Sequence, residues 1–191
     1  MNITDSKASY RSDNDIESIV VQLRFGSDYE EGFFDILKFY EYQLPKLMKN
    51  MKKEFVFRIV NEDDTDIDMC GTEAMTIVQQ DSITVCVPEE IYERARHGNG
   101  RCRFTLAHEL GHVILHSSDR VVLARYKDSA YEIKPYDQAY NAETQANKFA
   151  AELLAPLNQV RGLSVKEIMD KYGVSRTVAE IQHHKATRLH K

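Results

Sequence analysis

Arg103-Phe104-Thr105-Leu106-Ala107-His108-Glu109-Leu110-Gly111-His112-Val113-Ile114-Leu115-His116 carries two histidines four residues apart, with a glutamate directly after the first. No proline interrupts the run, and its composition favours helix. On an α-helix His108 and His112 leave one face about one turn apart. Both imidazoles can then reach one zinc ion, with Glu109 beside them to activate water at the metal. The spacing predicts a zinc-dependent peptidase site.

The bare spacing arises by accident in roughly one chain per hundred of this length, so the surroundings decide its meaning. At 100° per residue, Thr105, His108, Glu109, His112 and His116 share one arc of about 100°. Phe104, Leu106, Ala107, Leu110, Val113, Ile114 and Leu115 fill nearly all the rest. A surface helix is apolar on one stripe only, whereas this one is apolar almost all round and should be buried. Buried histidines and a carboxylate on one arc need a partner, and a metal ion satisfies them together. His116, one turn beyond His112, either orients the site or caps the helix before Ser117-Ser118; the cap is the preferred reading.

A catalytic zinc takes three protein ligands and keeps a fourth position for water. The third is expected from Asn141-Ala142-Glu143-Thr144-Gln145-Ala146-Asn147-Lys148-Phe149-Ala150-Ala151-Glu152-Leu153-Leu154-Ala155-Pro156, a helix with Asn141 as N-cap and Pro156 as stop. Its wheel puts Glu143, Ala146, Asn147, Ala150 and Leu154 on one side and Gln145, Lys148 and Glu152 opposite. Glu143 is thus the candidate ligand, among small residues that permit close helix approach. Asn147, one turn on, is placed to orient a ligand histidine. As a first-turn acid Glu143 would also suit the helix dipole, but that leaves the polar pair on an alanine face unexplained.

These two stretches resemble the ImmA/IrrE metallopeptidases of bacteria and their mobile elements. The resemblance rests on residues 103–112 and on Glu143-x-x-Ala146-Asn147-x-Phe149-Ala150-Ala151-x-Leu153-Leu154-x-Pro156, more weakly on Tyr172-Gly173-Val174-Ser175, and covers about residues 75–190. It implies an α+β, zincin-like domain whose small antiparallel or mixed sheet packs on the active-site helices. His108, His112 and Glu143 would be the metal ligands. The activity implied is cleavage of a helix-turn-helix repressor, releasing phage, mobile-element or stress genes. The chain departs from the family pattern at Ala155, where Met usually precedes the proline, and in an N-terminal stretch that has no counterpart. Its length leaves no room for the C-terminal sensor domain of the radiation-response members.

With 191 residues, 42% of them hydrophobic, the chain suits one domain with a small appendage and can bury a core. It has no apolar run of eighteen residues and no signal-peptide core, so a cytoplasmic protein without a membrane partner is expected. Cys70, Cys86 and Cys102 are odd in number and never spaced Cys-x-x-Cys, as reduced thiols would be. The net charge of −5 gives no support to whole-surface nucleic-acid binding.

Three parts are expected: a polar N-terminal segment (1–26), the peptidase domain (27–160) and a helical tail (161–191). Residues 1–18 read as a mobile polar stretch and 19–25 as a strand. Ser27-Asp28-Tyr29-Glu30 has the form of a capping box opening a helix to Tyr42 that buries Phe33, Phe34, Leu37 and Tyr40 or Tyr42; Pro45 breaks it or starts another turn. Residues 55–60 are strand-like, and 61–73, with six acids and no base, form a solvated acidic loop that fits no calcium site. Residues 74–79 and 83–87 make a hairpin turned at Gln80-Asp81-Ser82. Its second strand is either a cleft edge to which substrate could add, with Thr84 and Cys86 on one face, or an ordinary core strand. A short helix over 88–97 and a turn at Asn99-Gly100 precede the active helix. Tyr126, Tyr131, Tyr136 and Tyr140 are candidates for stabilising an oxyanion.

The tail reads as helix, glycine turn and Ser-capped helix, with seven Lys or Arg against three Asp or Glu over 161–191, a net +4. It supports a second reading, a DNA-binding or repressor-binding regulator that acts without proteolysis. Against it, Arg176 and Thr177 are the only base-reading side chains at the start of the second helix. His183-His184 reads as solvent-exposed. The preferred reading is a metallo-endopeptidase with a protein substrate. Zn2+ is the expected cofactor, and imidazole and carboxylate ligands also accept Mn2+.

Overall fold

The computed structural model describes residues 8–61, 64, 67, 69, 72–117, 122–126 and 140–188, with 122–126 described by backbone alone. Helix α1 (Asp13–Phe25) contains the expected strand. It opens on a capping box between Ser12 and Asp15, and buries Ile16, Val20 and Arg24 while Ser18 and Gln22, which a strand would put on the same face, stay exposed. The β-branched Ile19-Val20-Val21 run suggested a strand by propensity; the burial period overrides it.

The helix expected to start at Ser27 does not form there either. The Ser27 hydroxyl donates back to the Leu23 and Arg24 carbonyls, closing α1 instead of opening the next helix. Asp28 and Gly32 take positive φ. The buried Arg24 guanidinium pins this loop, donating to the carbonyls of Gly32 and, on a distant helix, Leu153. Helical structure resumes at α2 (Ile36–Lys38), capped by Asp35, runs through a π-helical turn at Phe39–Gln43, and continues as α3 (Leu44–Asn50), where Pro45 sits in the first turn. Phe34 and Tyr40 are buried, whereas Phe33 and Tyr42 are exposed.

Strands β1 (Glu54–Val60), β2 (Thr72–Val78), β3 (Ser82–Pro88) and β4 (Val122–Tyr126) form one mixed sheet in the order β1-β3-β2-β4. The β2–β3 hairpin is antiparallel, β1 runs parallel to β3, and β4 pairs antiparallel with β2. β3 is therefore an inner strand, with Ile83, Val85, Cys86 and Val87 fully buried. The alternative of a cleft edge for it is excluded, because both its backbone edges are already paired.

Helix α4 (Glu89–Arg96) leads to α5 (Gly100–His116), whose N-cap Asn99 accepts from the N–H groups of Arg101 and Cys102. α5 lies against β2 and against α6 (Ala142–Leu154), and Leu106, Leu110, Val113, Phe149 and Leu153 join the β3 side chains in one core. Gly111 makes the α5–α6 approach possible: a Cβ there would stand 3.0 Å from Ala146 Cα and 3.2 Å from its carbonyl oxygen. The face of α6 opposite the site is also covered. Gln145 donates to the Ser9 carbonyl, and Glu152 accepts from the Leu157 N–H and Gln182.

The chain ends in α7 (Leu157–Val160), α8 (Val165–Tyr172) and α9 (Arg176–Arg188). The helix-turn-helix form is present: Ser164 and Glu167 make a capping box, and Gly173 closes α8 at φ 61°. The turn is packed against the active helix. A Cβ on Gly100 would fall 2.4 Å from Ser175 N, and one on Gly173 would fall 2.2 Å from Arg103 Nη1. Among the described residues no helix is long and apolar enough to cross a membrane.

Candidate metal centre

Helix α5 is buried on nearly every side, as its wheel requires. His108 is 1% exposed, and Glu109 and His112 are fully enclosed. The four-residue spacing brings His112 Nε2 to 3.0 Å from His108 Nε2. From the first turn of α6, set by the Asn141 cap on the Thr144 N–H, Glu143 places Oε2 3.1 Å from His108 Nε2 and Oε1 3.3 Å from His112 Nε2. Helix packing thus joins residues 108, 112 and 143 into a single group that could hold a metal ion.

The donor set fits a cation. An ion ~2.05 Å from each of three tetrahedral ligands would set them roughly 3.3 Å apart, close to the observed separations. Asn147 Oδ1 lies 3.0 Å from His108 Nδ1; accepting the Nδ1 proton, it leaves the Nε2 lone pair turned toward the cluster. That lone pair faces a second imidazole nitrogen and a carboxylate, an arrangement that repels itself unless positive charge lies between. Burial works against the charge on Glu143, but the close His108 and His112 imidazoles outweigh it and hold the carboxyl well below the usual carboxylate range.

The charged helix-end cap expected of His116 is not what the structure shows. His116 is 2% exposed, its ring centroid lies 5.6 Å from that of His112, and it bonds the Ala142 backbone. Burial, and behind it His112, pushes its imidazole down to about 4, so at neutral pH it carries no charge to set against the helix dipole. His116 instead ties the end of α5 to the start of α6, behind the cluster.

Two polar residues beside the site escaped the sequence reading. The Thr76 hydroxyl, in mid-β2, donates to Glu109 Oε2 at 2.6 Å. Glu73, assigned to the solvated acidic loop, instead lies in β2, 5% exposed, and accepts from Thr105 and Arg101. A polar residue within an apolar strand was the available signal for each, masked by threonine's β-propensity and by the run of acids before Glu73. Of the tyrosine candidates, Tyr140 is 45% exposed and packs against Tyr10; the side chains of Tyr126, Tyr131 and Tyr136, like Cys70, lie outside the described residues. Cys86 and Cys102 are buried. His184 is exposed, and His183 is partly buried against the Leu163 carbonyl. Beside Asn147 a cleft of about 580 Å3 opens between α5, α6 and α9, lined by Phe104, Lys148, Val178, Ile181 and Lys185 among others.

A small mixed sheet, a buried helix with His-Glu-x-x-His and a carboxylate from the next helix define a zincin-like metallopeptidase domain. Residues 71–183 match the peptidase M78 family, described as the IrrE N-terminal-like domain, and the chain belongs to that family of metallopeptidases. The match extends into α9, so the helical tail lies largely within the family domain. No curated protein matches the chain.

Proposed function

We propose that the protein is a zinc-dependent endopeptidase whose substrate is a helix-turn-helix transcriptional repressor. The observation that carries the enzymatic part is the convergence of His108, His112 and Glu143, with His108 oriented by Asn147. Two histidines and a glutamate are a common set for catalytic zinc; manganese would be accepted by the same atoms. A divalent ion bound there supplies Lewis acidity, acidifying water and polarising the scissile carbonyl. Glu109 takes the proton of the attacking water and passes it to the departing amine nitrogen. The surrounding apolar helix surfaces exclude bulk water and strengthen these charge interactions. The repressor as substrate rests on family membership.

The competing reading, a regulator that binds DNA through the tail, has less support. The turn of the helix pair is packed on α5, α9 buries Val178, Ala179, Gln182 and Ala186, and Arg176 is paired with Glu180. Metal analysis of the purified protein, with Glu109→Gln tested on a candidate repressor, separates the two. The expected outcome is one zinc per chain in both proteins and cleavage by the wild type alone. A metal-free protein that shifts operator DNA would overturn the proposal, as would equal cleavage by Glu109→Gln.

A further inference from the structure

Thr76 and Glu109 are both fully buried, on facing elements of the site. Thr76 Oγ1 lies 2.6 Å from Glu109 Oε2 and 3.5 Å from the Glu109 carbonyl oxygen. A hydroxyl has one proton, and the shorter, charge-assisted contact takes it. The donor is itself fixed. Thr76 pairs with Val85 on β3 and with Leu123 on β4, so both edges of its strand are held, and its β-branch stiffens χ1. The acceptor is not fixed by its own backbone, since a glutamate has three side-chain torsions and the last is broad. The active helix places the Cα of Glu109 but leaves the plane of its carboxylate to whatever bonds it.

Resting on the reading of Glu109 as proton carrier, we propose that Thr76 is the positioning residue of the reaction: by holding Oε2 from the sheet it fixes the carboxylate plane in which Oε1 meets the attacking water. No chemical step is added; the proton still moves from water to Glu109 and on to the amine. β2 thereby becomes part of the active site through one hydroxyl, and the geometry of proton transfer depends on the docking of α5 against the sheet.

The test uses the full chain loaded with zinc, as wild type, Thr76→Val, Thr76→Ser and Glu109→Gln, on a pooled library of internally quenched peptides. The carboxylate stretch of Glu109, assigned by subtracting the Glu109→Gln infrared spectrum, supplies a readout that needs no turnover. In Thr76→Val we expect retained zinc, a shifted carboxylate band and a kcat lowered ~10- to 100-fold, the effect of a misplaced catalytic group, with KM unchanged. Thr76→Ser, which restores the donor, should recover both band and kcat. An unmoved band in Thr76→Val, a change in KM alone, or a serine variant no better than valine would overturn the proposal. If the wild type cleaves no peptide of the library, the band decides by the same criteria; if Thr76→Val does not fold, Thr76→Ala takes its place. Failure of the underlying reading is separate: zinc-loaded Glu109→Gln working at the wild-type rate removes Glu109 as proton carrier whatever Thr76 does.

Discussion

At the scale of single residues, the site is organised by hydrogen bonds that settle which atoms face inward. Asn147 accepts from His108 Nδ1 and so presents Nε2 to the cluster. Asn147→Ala should keep the fold but weaken zinc binding about 10- to 100-fold, measured by competition with a chelator of known affinity. Glu152 is a buried carboxyl of a different kind. Burial raises its pKa above the ordinary 4.5, against hydrogen bonds from the Leu157 N–H and Gln182. The folded chain therefore binds this proton more tightly than the unfolded one. That contribution is full below pH 4.5 and is lost as pH rises through the folded-state value. Glu152→Gln does not titrate, so its melting temperature relative to wild type should climb between pH 4.5 and 7, and thermal denaturation across that range checks the sign. The burial of Glu109 was legible from the apolar wheel around it; its contact with Thr76 was not, because strand spacing carries no information about what a side chain meets across the core.

At the scale of elements, the candidate metal centre is a product of α5 packing on α6. Its ligand candidates come from both helices, and Gly111 stands at a close approach between them, opposite Ala146 and Phe149. Gly111→Ala should push the helices apart by a few tenths of an ångström, destabilise the protein by about 1–3 kcal/mol and weaken zinc binding, because His108 and His112 would move relative to Glu143. Chemical denaturation and metal titration of the same variant report the two effects. Periodicity revealed both helices, the β2–β3 hairpin and the glycine turn before α9. It misread α1 as polar chain plus strand, because an Ile-Val-Val run has high β-propensity, and only the partner that buries Ile16, Val20 and Arg24 establishes the helical period.

At the scale of the whole molecule, the active helix also holds the two ends of the domain. The buried Arg103 guanidinium donates to the carbonyls of Tyr172, Gly173 and Phe34, and lies 3.8 Å from the centre of the Phe33 ring. Burial pushes its pKa down to about 10, leaving it charged at neutral pH. Arg103→Met removes the donors and leaves buried carbonyls unmatched, so it should cost at least ~2 kcal/mol. Hydrogen exchange should then show α8, α9 and residues 30–36 opening together, whereas independent opening of α8 and α9 would contradict a shared clamp. Gln182, buried against Glu152 and the Ala155 carbonyl, ties α9 to the end of α6 in the same way.

The chain by itself determined the arrangement of the central helix: helical spacing put two imidazoles and a carboxylate on one arc, and an almost wholly apolar wheel required that arc to be buried. It also pointed to Glu143 and Asn147, since a polar pair on an alanine face has few other uses. Tertiary structure alone decided that these helices pack closely at Gly111, that β3 is an inner strand, that His116 faces inward and neutral, that Thr76 reaches Glu109 and that Glu73 reaches Thr105. The physical reason is one of range. Helical periodicity is a local property of neighbouring residues, whereas strand order, burial and cross-core hydrogen bonds depend on which distant surfaces come to lie together.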